Sequence, residues 1–186
     1  MNRTEEAIIE SFWQLLEEKP FNKITVQNIV ERCEVNRNTF YYHFQDIPTL
    51  AQQSVKRWVD EVIETHYEFG SPLTCLIPLT EEFIKRKEAF KNLYFSSQRD
   101  DFMRYTDHLA YHVVHLYMKQ DLHYRSISNQ EKEMVAHLYK CLLIGIILDW
   151  LDNDTNYDLS SFIKNICQLF EKYPRLYLNT NKEDSI

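Results

Sequence analysis

Apolar residues recur along this chain at intervals of three and four, the signature of helices that bury one face. Over residues 4–19, Ile8, Ile9, Phe12, Trp13, Leu15 and Leu16 share one broad face, with Glu5, Glu6, Glu10, Glu17 and Glu18 opposite. Pro20 ends that helix, because its ring blocks a further turn. Thr25 fits the N-cap of a second helix, with Ile24, Val26, Ile29 and Val30 turned inward. After a break at Cys33-Glu34-Val35 comes a third short helix, pegged to the second by Val35 and Phe40. Asp46 caps a fourth, with Pro48 in its first turn. Helical spacing runs from Leu50 to about Tyr67 and stops at Gly70-Ser71-Pro72; Ser71 with Pro72 opens another helix that Pro78 kinks or restarts. Further helical patterns cover 83–96 and about 98–120. Ser128-Asn129-Gln130-Glu131 fits a capping box opening a helix to about Leu151, and an amphipathic stretch occupies 159–172.

Composition narrows the class. Two glycines and five prolines in 186 residues are too few for hairpins and β-turns. The expected fold is all-α: an N-terminal three-helix helix-turn-helix domain at 1–50, then a C-terminal helical bundle at 51–175. A four-helix dimer interface belongs to that bundle, and residues 176–186 read as a flexible tail. Cys33, Cys75, Cys141 and Cys167 lack paired spacing, so they read as reduced thiols of a cytoplasmic protein. The polar start, with Arg3, Glu5 and Glu6, does not read as a secretory signal. The apolar run from Cys141 to Leu151 is interrupted by Asp149 and too short to span a bilayer, so no membrane partner is expected.

The densest chemistry lies in the third helix. Asn36, Arg37, Asn38, Thr39, Tyr41, Tyr42 and His43 put amides, a guanidinium, hydroxyls and rings into eight residues. Base edges and phosphates are read by those groups, so a helix of this kind suits a DNA groove. By spacing alone, two packing helices with a polar-aromatic rim fit equally. Charge argues for restraint: the formal net charge is −7, and the first 50 residues hold five Lys/Arg against eight Asp/Glu. A DNA binder without a basic footprint must rely on a few positioned contacts, helix N-termini and two copies acting together.

The run from Phe21-Asn22-Lys23-Ile24-Thr25-Val26 through Asn36-Arg37-Asn38-Thr39-Phe40-Tyr41-Tyr42-His43-Phe44, then Asp46 and Leu50, closely resembles the DNA-binding domain of the TetR family of bacterial regulators. The likeness is sharp over residues 4–50. Gly145-Ile146-Ile147-Leu148-Asp149-Trp150-Leu151 also looks like the dimerising helix of a subgroup that includes activators of dihydroxyacetone-kinase operons. The resemblance implies that Thr25 holds a phosphate and that Asn36, Arg37, Asn38 and Thr39 lead the recognition helix. It implies Tyr41 and Tyr42 on phosphates or a thymine methyl, His43 on a phosphate, and Phe40 and Phe44 in the domain core. Arg37 is the choice for base reading, since its fork suits guanine. Two departures stand out: Glu34 where the family usually has Gly, and Gln45 where a Lys is common.

The C-terminal half carries three further candidate features. Leu143, Ile146, Ile147, Trp150, Ile163, Ile166 and Phe170 are expected to form a dimer interface, the alternative being an intrachain core. Phe83, Phe90, Tyr94, Phe102, Tyr105 and Tyr111 fit either an effector pocket or plain core. His108, His112 and His115 share one helical face, which suits a metal or a solvated histidine face. No catalytic constellation and no cofactor motif stands out, so no enzyme activity is expected. The expected function is a homodimeric regulator, by family habit a repressor. It binds a palindromic double-stranded operator through residues 36–43 and is released by a small-molecule or protein effector. The rival reading is a transcriptional activator or interaction module controlled by a partner protein.

Overall fold

The structure, a computed structural model, describes residues 3–66, 76–96, 99–120 and 126–173. The described residues are helical and contain no strand. The helices are α1 (Arg3–Glu18), α2 (Val26–Arg32), α3 (Arg37–His43), α4 (Ile47–His66), α5 (Leu76–Lys85), α6 (Lys87–Tyr94), α7 (Arg99–Gln120), α8 (Asn129–Asp152) and α9 (Leu159–Lys172). The break at Gly70-Ser71-Pro72 and the tail at 176–186 lie outside the described residues.

Caps fix the boundaries of the first three helices. Thr25 Oγ1 accepts from the Asn28 amide at 3.2 Å, and Asn28 Oδ1 accepts from the Thr25 amide at 3.1 Å. This reciprocal pair satisfies two amides that would otherwise be orphaned at the start of α2. Asn36 Oδ1 takes the Thr39 amide at 2.8 Å and so starts α3. Between them, Val35 N–H returns to the Val30 carbonyl at 3.0 Å around Glu34, which has φ 55°. That is a Schellman turn, whose left-handed position favours glycine.

Phe12, Leu16, Ile29, Phe40, Phe44 and Leu50 fill the small core beneath α1–α3, each essentially inaccessible to solvent. Phe40 and Phe44 thus face inward as expected. The core does not close there: one buried cluster continues from Ile8 through α4 to Ile163 and Cys167 in α9. The expected division at residue 50 falls inside the first turn of α4, which bridges the two parts of that cluster.

The single helical pattern expected over 83–96 is two helices, broken at Arg86, whose φ −107° and ψ 21° are non-helical. α8 opens with the expected capping box: Ser128 Oγ accepts from the Glu131 amide at 3.3 Å and Glu131 accepts from the Ser128 amide at 2.7 Å. At 24 residues, α8 is long and apolar enough to cross a membrane by length and composition, more so than the 141–151 run suggested. Its inward face is nonetheless spent on the core through Leu143, Trp150 and Leu151, and Lys140 binds Asp107 at 2.6 Å.

A left-handed non-glycine residue costs about 1–2 kcal/mol, partly offset by glycine's greater freedom when unfolded. Glu34→Gly is therefore expected to stabilise the protein by about 0.5–1 kcal/mol, read as a higher denaturant midpoint at unchanged slope.

Candidate nucleic-acid interface and sensing domain

The α3 surface is built outward from its buried pegs. With Phe40 and Phe44 turned in, helical geometry turns Tyr41 and Tyr42 out, and they are 56% and 83% exposed. Arg37 and Asn38 are exposed at the leading end, and His43 is half-buried with its ring 5.0 Å from that of Tyr42. Asn36 and Thr39 are partly committed elsewhere: Asn36 Oδ1 also accepts from the Thr39 hydroxyl at 3.1 Å. That leaves the Asn36 amide group free to donate, while the pair first serves as a cap.

A residue not anticipated from sequence organises this surface. Gln27 on α2 accepts from Arg37 Nε at 3.0 Å and donates to Glu31. Holding Nε leaves both terminal nitrogens of the guanidinium pointing away as a fork, the geometry that matches a guanine edge. Arg32, by contrast, is spent in a two-pronged pair with Glu18, both contacts at 2.7 Å. Lys19 is drawn to Asn28 at 2.8 Å. Two of this unit's five cations are thus already engaged within it.

The link to the rest of the molecule is aromatic. Trp13 of α1 lies 5.7 Å from Phe90 and 6.4 Å from Trp58, ring centre to ring centre. Phe90 stacks on Phe83 at 4.0 Å, and Phe83 meets Trp150 at 5.6 Å. Arg86 lies over the Trp13 ring at 4.9 Å, and Asn92 donates to the Leu16 carbonyl at 2.7 Å, capping the end of α1.

Behind this junction lies a wholly apolar cavity of about 60 Å³, walled by α4 to α8. Of the six expected pocket residues, Phe83 and Phe90 line it. The tyrosines do not. Tyr94 is buried against Asp152, to which its hydroxyl donates at 2.7 Å; Tyr105 donates to the Gln52 carbonyl and Tyr111 to Glu133. Each hydroxyl is claimed by a polar partner, while the Tyr94 ring is fully buried in the main core and Tyr105 packs against it. Burial, then the Asp60 charge, pushes the Tyr105 hydroxyl up to about 12, so it stays a donor at any physiological pH. The Phe102 side chain lies outside the described residues.

The three histidines part company. His108 is exposed; His112 Nε2 lies 2.9 Å from Asp60 Oδ1 on α4; His115 meets the Tyr111 ring edge-on at 4.3 Å, with Glu133 at 3.9 Å. Among the described residues, no three His, Cys, Asp or Glu side chains group as a metal site. His123, which follows this helix, lies outside them.

The expected dimer residues divide as well. Leu143, Trp150 and Ile163 are 3%, 2% and 1% exposed, enclosed within the chain's own core and unable to meet a partner. Ile146, Ile147 and Ile166 are half-buried, and the Phe170 side chain lies outside the described residues. The outward apolar groups are instead Met134, Leu138 and Leu142 on α8 and Phe162 and Leu169 on α9. α8 is apolar nearly all round, so periodicity could not tell which side α7 covers. Gly145 is exposed, and a Cβ there would meet nothing within 4 Å.

A helix-turn-helix with an exposed polar second helix, joined to a larger helical body, is the architecture of a DNA-binding regulator. Residues 8–52 match the family described as bacterial regulatory proteins, tetR family, and residues 71–172 match a transcriptional regulator C-terminal region. The chain belongs to the TetR family of transcriptional regulators, and its N-terminal unit is a DNA-binding helix-turn-helix domain. It is 26% identical over 157 residues to the uncharacterized HTH-type transcriptional regulator YxbF of Bacillus subtilis (strain 168), covering 81% of this chain. The chain spans about 40% of that relative's length. In fold it is similar to the dihydroxyacetone kinase operon activator DhaS (TM-score 0.65, 17% identity, 94% of this chain and 97% of that one). It is also similar to NalD of Pseudomonas aeruginosa, the secondary repressor of the MexAB-OprM multidrug efflux pump (TM-score 0.58, 16% identity, 91% and 94%).

Burial alone would raise the Asp60 carboxyl, but hydrogen bonds from Lys56 and His112 outweigh it and leave the group below its ordinary 3.8. A carboxyl depressed on folding adds stability above its unfolded value, and that gain is lost as pH falls through the folded one. Asp60→Asn is thus expected to cost about 1 kcal/mol at neutral pH. The difference from wild type should shrink on acidification below 3.8, followed by thermal melts across pH.

Proposed function

We propose that this chain is a homodimeric TetR-type regulator, acting as a repressor in the cytoplasm, that reads a palindromic operator with α3 and is released by an effector. The observation that carries the DNA-reading part is the Arg37 guanidinium, held through Nε by Gln27 with its fork free at the exposed end of α3. Around it, Tyr42 and Tyr41 project towards phosphate or thymine methyl, and Thr25, Asn36, Asn38, Thr39 and His43 complete the surface. Thr25 can still donate its hydroxyl proton to a phosphate while accepting within its cap. The acidic balance of this unit supports weak binding per copy, and pairing of half-sites supplies the remainder.

Dimerisation is supported by the outward stripe Met134, Leu138, Leu142 on α8 and Phe162, Leu169 on α9. Apolar side chains left uncovered on α8 and on α9 are what a second copy could bury, and the open space at Gly145 would admit a close helix crossing. The effector site is assigned to the cavity lined by Phe83 and Phe90. An activator role under a partner protein is the second reading, favoured by the likeness in fold to the activator DhaS.

Arg37→Ala is expected to lose about 1–3 kcal/mol of operator affinity and to relax discrimination at one base pair. Gln27→Ala should relax the same position by less, since the fork survives without its brace. Gel shifts on DNA upstream of the chain's own gene, with single-base variants, measure both. Unchanged binding by Arg37→Ala would sink the assigned surface. Leu138→Glu with Leu142→Glu should convert the dimer to monomer in sedimentation and abolish operator binding, leaving helical content intact.

A further inference from the structure

The chemistry of the cavity restricts what can occupy it. Its wall is made by Val55, Trp58 and Val59 of α4, Phe83 of α5, Phe90 of α6, and aliphatic residues of α7 and α8. Two threonines, Thr80 and Thr106, are the polar residue types among the lining, yet no polar atom faces the space. The Thr80 hydroxyl is turned away and donates to the Ile77 carbonyl at 2.8 Å. The charged residues beside the wall are spoken for. Asp60 holds Lys56 and His112, Asp107 holds Lys140, and Arg57 pairs through Nε with Glu61 at 2.8 Å; its buried Nη1 has no partner among the described residues, but Arg57 is not among the residues lining the cavity.

We propose that this cavity selects an uncharged, apolar molecule, aromatic or compact aliphatic, and rejects any ligand that must place a carboxylate, phosphate or ammonium inside it. The proposal rests on the reading of this cavity as the effector site and names its ligand class. An ion brought here would leave water and find neither a counter-charge nor a hydrogen-bond donor or acceptor, a penalty far above what burying a ring recovers. A neutral hydrocarbon gives up no hydrogen bonds on entry and gains contact with the faces of Trp58, Phe83 and Phe90.

Size adds a second constraint. The free volume of about 60 Å³ is well under the roughly 150 Å³ of an apolar cavity that accepts benzene. Even one ring must therefore push the walls apart. Three of those wall residues belong to α4, the helix that starts a few residues after α3 ends. The small volume that makes a ring push the walls apart makes its entry a mechanical load on α4 and so on the DNA-binding unit.

The test uses the full chain with toluene and its charged counterparts benzoate and benzylammonium, followed by thermal melting and by tryptophan fluorescence. Toluene at tenfold over its dissociation constant is expected to raise Tm by about 3–5 °C. Neither ion should shift it. Ala110→Phe, which fills the cavity from α7, should abolish the toluene shift. If that variant fails to fold, Ala110→Leu makes the same test with less bulk. No toluene shift up to its solubility, an equal shift by either ion, or a shift that survives filling overturns the ligand class. Gel shifts score the parent reading separately: toluene that binds in the cavity without releasing operator leaves the ligand class standing and removes the effector role.

Discussion

The structure depends on one aromatic junction. Trp13 belongs to the DNA-binding unit, Trp58 to the bridging helix, and Phe83, Phe90 and Trp150 to the body, and their rings meet within 4.0–6.4 Å in a continuous chain. Rings of this size each carry about 3–5 kcal/mol of stability when buried. Because the interior is close-packed, a shift of one ring is felt by its neighbours. The two parts of the molecule are therefore not beads on a linker. The Asn92 cap on α1 and the Arg86 cation over Trp13 reinforce the same seam with directional contacts.

Much of this was legible in the chain because local physics decided it. Thr25, Asp46 and Ser128 cap their helices as expected, through side-chain oxygens accepting backbone amides, a choice made within four residues. The left-handed position at Glu34 was signalled by the resemblance to a family that usually has Gly there. What failed was anything needing to know which neighbour lies opposite. Leu143 and Leu142 are adjacent and chemically alike, yet one is enclosed and the other 39% exposed, because α7 covers only one side of α8. Tyr94, Tyr105 and Tyr111 carry the spacing of pocket residues, but Asp152, the Gln52 carbonyl and Glu133 claim their hydroxyls from distant segments. Gln27 reaches Arg37 across ten positions, with no periodicity to announce it.

The electrostatics of the reader follow from the same economy. Glu18 neutralises Arg32, and the Glu31–Gln27 pair is turned towards holding Arg37 in place. An acidic unit of this kind is repelled by DNA in general and retained only where the few oriented groups find their partners. Low non-specific affinity is the complement of that arrangement, and it makes the outward stripe on α8 and α9 more consequential than it would be for a basic reader.

The position of Trp58 along α4 has a geometric outcome. Eleven residues separate it from Ile47 at the helix start, about 16 Å at 1.5 Å per residue. A tilt of about 5° about Trp58 carries Ile47, with α3 behind it, through roughly 1.5 Å. In a two-fold assembly the displacement is doubled to about 3 Å, close to the ~3.4 Å rise of a single base pair. A tilt of that size would put two half-sites out of phase by about one step of the double helix.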